Sequence, residues 1–225
     1  MKNYIIAAGL FLLGADYAEA RKALSPYLWI DGRVIKWGEP VSGTPATITY
    51  TYLTQPYEFE GGISPDNCRR TEPLAQVLAA AGVTLEVFHA ETRKALSAWE
   101  RIAGVTYRYV DSVEEADVLL GSMEHLVADY AAFTNLRVTS SITGETNTIT
   151  KGIICLNILT RWSVDATEDK HIAVFQMTNI HEFGHIGGLG DQSGFTSAVM
   201  AKDLRVRSFV SSDIESMHYL YGPPH

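Results

Sequence analysis

Residues 181–191 read HEFGHIGGLGD: two histidines four apart, a glutamate directly after the first, three glycines after the second, and an aspartate to close. On a helix, positions i and i+4 lie one above the other on the same face. The imidazoles of His181 and His185 therefore hang over a common point, as a tetrahedral zinc ion requires of two ring nitrogens. Glu182 points a little aside, where its carboxylate can take a proton from a water on the ion rather than bind the ion itself. Gly188 comes three residues after His185, where the helix must end and the chain turn sharply. Glycine admits the left-handed backbone such a turn needs. Asp191, three further on, occupies the place from which a third ligand swings back to the metal.

The segment leading into this run, IAVFQMTNI, is apolar. At helical spacing Val174, Met177, Thr178, His181 and His185 share one face, with Ile172, Phe175, Phe183 and Ile186 opposite. A helix apolar on nearly every side is a buried one, and histidines on its inner face need partners. Thr167 is the expected cap of this helix, with Glu168 and Asp169 in its first turn, near the positive end of the helix dipole.

The run resembles the extended motif of the metzincin zinc peptidases, H-E-x-x-H-x-x-G-x-x-H followed by a methionine turn. Asp191 stands where that motif has its last histidine, a replacement found in snapalysin-type members of the clan, and SAVM places Met200 where the methionine turn would pass beneath the zinc. Near the C-terminus, VSSDIESMHYLYGPP is similar to the last helix of matrixin catalytic domains, which typically ends in Leu-Tyr-Gly. ALSAWERIAGVTYRYVDSVEEADVLLG is similar to their first long helix and the two strands after it, and GIICLN to the strand before the active-site helix. The likeness spans residues 84–222.

The resemblance implies an α+β (mixed α/β) metzincin-like zincin fold. Its parts are a twisted, mostly parallel sheet, two long helices of which one is the active-site helix, a methionine turn and a C-terminal helix. An N-terminal part reaching to about residue 188 and a smaller part over 189–225 flank the cleft. It further implies that His181, His185 and Asp191 hold one catalytic Zn²⁺, that Glu182 is the general base of peptide hydrolysis, and that Gly188 and Met200 support the site. The substrate, a protein or peptide, would lie extended and add a strand to the sheet edge. Family likeness puts that edge within Ala131–Ser140.

Several family features are missing. No propeptide with a zinc-blocking cysteine motif is visible; Cys68 lies in PDNCRR, whose order and place are wrong for one. The His-Gly-Asp loop that carries structural zinc and calcium in animal matrixins is absent, so bound calcium has no motif to support it. Lys202 stands two residues after Met200, where serralysins and astacins have a tyrosine ligand. The remaining histidines, His89, His125, His171, His218 and His225, lack any ligand spacing.

Composition sets the frame. With 225 residues, 46% hydrophobic and 20% charged, the chain reads as globular, with enough length for one sizeable domain. A net charge of -8 and the lack of a basic run argue against a nucleic-acid binder. Residues 1–20, MKNYIIAAGLFLLGADYAEA, carry Lys2, an apolar run from Tyr4 to Leu13, and a small-x-small end at Ala18-Glu19-Ala20. That is the layout of a cleavable secretory signal, and the run is short for a membrane span. The expectation is a mature monomer over 21–225 with one catalytic domain, secreted or periplasmic, without stable membrane insertion. In such an oxidising compartment Cys68 and Cys155 are expected to pair.

Elsewhere, alternation over Thr47–Tyr52 predicts a strand. Thr71, with Glu72 and Pro73 behind it, predicts a helix stopped at Gly82. A longer helix is expected from Thr84 to Gly104, with Leu85, Phe88, Leu96, Trp99 and Ile102 on one face. Strands follow at Val105–Val110 and Ala116–Leu120, and Ala131–Asn157 is mostly β. Two rival functions share these residues. A hydrolase of a non-protein or cell-wall amide would use the same attack chemistry. A non-catalytic secreted binding protein with a structural zinc is disfavoured, because structural sites normally take four protein ligands and only three candidates are visible.

Overall fold

The computed structural model describes residues 26–124, 130–166, 169, 171–192, 198–201 and 208–225. The expected signal at 1–20, the cap at Thr167 with Glu168, His125 and Lys202 lie outside them. Strands β1 (Trp29–Ile30) and β2 (Arg33–Lys36) form a hairpin. Strand β3 (Ala46–Tyr52) is ATITYTY, a run of β-branched and aromatic residues suited to a pleated, half-buried surface. Two short strands, β4 (Tyr57–Glu58) and β5 (Arg70–Thr71), pair with one another. Strand β3 is flanked in parallel by β6 (Val105–Tyr109) and β7 (Val118–Met123). Strand β8 (Ala132–Thr139) runs antiparallel to β9 (Asn147–Asn157), which in turn runs parallel to β7. The order across the main sheet is β1-β2-β9-β7-β3-β6, with β8 on β9. The protein is thus mixed α/β with a mostly parallel central sheet, as the sequence predicts.

Parallel sheets are covered on both faces, and the period-two alternation of these strands sorts their residues accordingly. Ile48, Tyr50, Val118, Leu120 and Ile154 belong to the main core with the helices. Leu53, Leu119, Ile153 and Cys155 belong to a smaller cluster with Phe59 and Cys68. There Cys68 and Cys155 are joined by a disulfide that closes 87 residues of chain, with the Cα atoms 5.7 Å apart. Replacing both by Ala should cost about 4 kcal/mol in the chain-entropy treatment of so long a loop. Denaturant unfolding measures the loss, and non-reduced peptide mapping identifies the bond.

Helix α1 (Ala75–Ala81) is shorter than predicted. Thr71 does not cap it: its hydroxyl donates to Cys68 O (2.9 Å), and pairing with Tyr57 holds it in β5. Glu72 is likewise extended, exchanging backbone hydrogen bonds with Ser122. Gly82 ends the helix at φ 66, as expected. Helix α2 (Leu85–Glu100) starts at Thr84, whose hydroxyl accepts from Val87 N (3.3 Å). It stops before Gly104, because Ile102 N and Ala103 N fold back onto Trp99 O. Gly104 instead opens β6, where any side chain would collide with Tyr221 O. Phe88, Leu96 and Trp99 face the core, whereas Leu85, in the first turn, is 48% exposed.

The third helix, α3 (Phe175–Ile186), differs most from expectation at its start. Residues Ile172–Val174 form strand β11, parallel to β10 (Arg161–Ser163). Val174 at the helix boundary is extended, at φ -102 and ψ 122, so Ile172 and Val174 lie outside the helix on whose faces the period had placed them. Strand pairing of these β-branched residues outcompetes the helical reading. From Phe175 onward α3 is buried, and Ile180 O accepts the indole N–H of Trp99 (2.9 Å). Helix α4 (Ser211–Tyr221) closes the chain. Among the described residues no helix is long and apolar enough to cross a membrane.

Candidate metal centre

Helix α3 carries His181 and His185 one turn apart, their rings 4.6 Å between centroids and nearly perpendicular at 88°. Each Nδ1 faces a backbone carbonyl: Val199 O for His181 and Leu189 O for His185, both at 2.9 Å. A carbonyl can only accept, so the proton sits on Nδ1 and the Nε2 lone pair of each neutral ring is left for a ligand. The two Nε2 atoms converge on Asp191 Oδ1, at 3.4 Å from His181 and 3.5 Å from His185. One donor atom from each of the three residues lies within 4.8 Å of the others. The carboxyl of Asp191 remains 40% exposed, so the group is open on one side. Two imidazole nitrogens and a carboxylate oxygen are a donor set that suits zinc with a position to spare.

Burial works against charge on His185, but the hydrogen bond to Asp191, with the carboxylates of Glu182 and Asp191 nearby, outweighs it and raises its pKa. Burial likewise pushes Asp191 up, yet its hydrogen bonds to His181 and His185 win and hold it well below the usual carboxylate range. The centre is an anionic oxygen between two imidazoles, an arrangement that favours a cation. Protons compete with a metal for such ligands, so metal affinity should fall as the pH is lowered.

The turn that returns Asp191 follows from the glycines. Gly188 adopts φ 95, and any side chain there would collide with Ile35 O of β2. Gly188 N and Leu189 N bond back to His185 O and Gly184 O (2.9 and 3.0 Å). Leu28 N donates to Gly188 O (2.8 Å) and Gly190 N to Pro26 O (2.9 Å), so the N-terminal segment pairs with this loop. The indole of Trp37 donates to Ile186 O (2.7 Å) and the phenol of Tyr221 to Gly187 O (2.9 Å).

Met200 is fully buried, its sulfur filling the space that a side chain at Gly184, the residue before His185, would need. Glu182, 4% exposed, stands outside the convergent group, and its Oε2 accepts from the hydroxyl of Thr134 on β8 (2.6 Å). Sequence reasoning missed Thr134, which no local pattern marks. It also missed Asp213, fully buried in α4, whose Oδ2 accepts from Val199 N and Val210 N (both 3.0 Å) and so holds the segment of Met200. An acid in the first turn of a helix was the available signal for that residue. The other described histidines lie elsewhere: His218 Nε2 bonds Ile102 O (2.6 Å), and His89 Nε2 meets the Tyr50 hydroxyl (3.3 Å).

Two imidazoles on a helix, a carboxylate brought back to them by a glycine turn, and a buried glutamate beside a sheet edge make the arrangement of a metal-dependent hydrolase. The family model of the matrixins, Peptidase_M10, matches residues 78–222, and the chain belongs to this family of metallopeptidases. No curated protein matches it.

Proposed function

We propose that the protein is a secreted or periplasmic zinc-dependent endopeptidase, with His181, His185 and Asp191 as the ligands of one zinc ion and Glu182 as general base. The observation that carries this reading is the convergence of His181 Nε2, His185 Nε2 and Asp191 Oδ1, with Glu182 beside but not within the group. When bound, the ion acts as a Lewis acid that polarises a substrate carbonyl and makes a water easier to deprotonate. Glu182 takes the proton of that water and delivers it to the departing amine nitrogen. The substrate lies extended along β8, adding a strand to the sheet. Gly188 sets the turn to Asp191, and Met200 packs beneath the helix that bears the histidines. The disulfide and the signal-like residues 1–20 support export, leaving residues 21–225 as one catalytic unit.

The test is metal content together with cleavage of casein. One zinc per chain is expected, with hydrolysis lost on chelation and restored by zinc. A fully active protein after exhaustive chelation would refute the reading.

Thr134 has a consequence of its own. A hydrogen bond to a charged group contributes roughly 1.5–3 kcal/mol, so Thr134→Val should lower kcat by about tenfold or more by freeing the Glu182 carboxylate from its position. Thr134→Ser should restore most of the rate, and zinc content should stay unchanged in both. Equal kcat in all three proteins would show that the bond does not position Glu182.

A further inference from the structure

The outer edge of β8 is walled off on one side of Glu182. Leu136 lies opposite Gly152, whose N–H is already given to Asp117 O (2.8 Å) on the β7 side. At this register β8 and β9 exchange no hydrogen bonds, so the N–H and C=O of Leu136 point away from β9. Both are taken within the chain: the carbonyl accepts from Ile63 N (2.8 Å) and the N–H donates to Asn135 Oδ1 (2.9 Å). The buried Asn135 also grips the segment that supplies Ile63. Its Nδ2 donates to Ser64 O (2.7 Å) and Asn67 O (2.8 Å), and its Oδ1 accepts from Ser64 N (3.1 Å). Gly62 presses so closely on the Asn135 amide that any side chain there would collide with it. Arg137 reaches Glu60 O and lays its guanidinium over the Phe59 ring, 4.6 Å from the centroid. Phe59 and Cys68 are fixed in the smaller core, the latter by its disulfide to β9. Residues 59–67 are therefore a braced wall alongside β8.

Two residues back, Thr134 presents its backbone to the same edge by the alternation of the strand, and its N–H and C=O have no partner among the described residues. Thr134 is also the residue bonded to Glu182. The wall thus begins about 7 Å, or two strand residues, along β8 from Thr134, which holds the catalytic carboxylate proposed above. An added strand prefers the antiparallel pairing, the more stable of the two. Its chain then runs from the Leu136 end of β8 toward the Ala132 end, so the walled side receives what precedes the scissile bond.

Resting on the peptidase reading, we propose that residues 59–67 close the amino-side half of the substrate groove. About two residues before the scissile bond pair with β8; any chain further upstream leaves the sheet edge and gains no backbone pairing. Binding strength comes from the residues on the carboxyl side of the cleaved bond.

The test is a peptide series around one cleaved bond, lengthened by one residue at a time on either side, with kcat/KM read for each. Two more ladder residues in an open groove should raise kcat/KM by about tenfold or more. For the wild type the expected change is under about threefold when the amino side grows from two residues to four, with the larger gain confined to the carboxyl side. Ile63→Pro, which lacks the N–H given to Leu136, and Asn135→Ala, which releases the loop, should each restore a gain from amino-side extension. A wild-type gain of about tenfold from the amino side overturns the proposal and leaves the peptidase reading intact. A short carboxyl side with a long amino side overturns it equally, since the substrate would then run the other way. Failure to cleave any member of the series, with zinc bound, overturns the peptidase reading and this proposal with it.

Discussion

Glu182→Ala should retain one zinc per chain while peptide hydrolysis falls by about two or more orders of magnitude, the usual loss when a general base is removed. The two halves of this result come from different features of the structure. Metal retention follows from the donor group, which comprises His181, His185 and Asp191 without Glu182. Loss of rate follows from the position of the Glu182 carboxylate, which is buried on the helix bearing both histidines and fixed by Thr134. Glu182→Gln keeps the size and an oxygen for Thr134 to donate to, but not the basicity, and should be as inactive as the alanine variant. Metal analysis and steady-state kinetics on the same preparations decide the matter. Near-normal turnover in either variant would remove the general-base role and with it the peptidase mechanism.

Asp191→Ala should weaken zinc binding and abolish activity, because it removes one of three donors and the anion between the two imidazoles. Asp191→His is the more informative change. A carboxylate oxygen and an imidazole nitrogen both reach zinc at about 2 Å, so the ion should be retained. Replacing an anionic ligand by a neutral one raises the net charge of the loaded centre, which makes the centre a stronger acidifier of water. The acidic limb of the pH–rate profile should then move to lower pH. The geometry works against this gain, since imidazole is longer than carboxylate and the glycine turn at Gly188 is shaped for the shorter reach. A reduced rate with a displaced limb is the expected outcome. Wild-type zinc affinity and wild-type cleavage in Asp191→Ala would mean that the third ligand is another residue.

The features legible in the sequence are those with short reach. The i, i+4 pair at His181 and His185, the turn glycine at 188 and the returning Asp191 span eleven residues, and the structure brings the two imidazoles and the carboxylate together. Gly82 and Thr84 also act locally, and the helix stop at the one and the helix start at the other agree with the sequence. Thr71 carries the same local signal as Thr84 and fails, because pairing with Tyr57 and a hydrogen bond to Cys68 hold it extended. Residues Ile172–Val174 fail for the same reason, through pairing with Arg161–Ser163. Thr134 and Ile63 carry no local pattern, and the first-turn acid signal at Asp213 does not reveal its partner. Each matters through a partner distant in the chain, Glu182, Leu136 and Val199 respectively.

The short ladder between residues 26–28 and 188–190 bears on when this protein becomes capable of reacting. Tyr27 bridges to Leu189, and its ring lies 5.4 Å from that of Tyr219 in the final helix. The loop that returns Asp191 is therefore braced by segments from near the beginning and the very end of the described chain, together with Trp37 and Tyr221. Contacts of such long sequence separation form late, since the entropy of closing a long loop is lost before they stabilise anything. During synthesis His181 and His185 can emerge and begin their helix well before residues 219–221 have been added. The brace on Asp191 is completed only with those last residues, so a partly made chain lacks the finished centre. The order of synthesis itself withholds a braced Asp191 until residues 219–221 have been added.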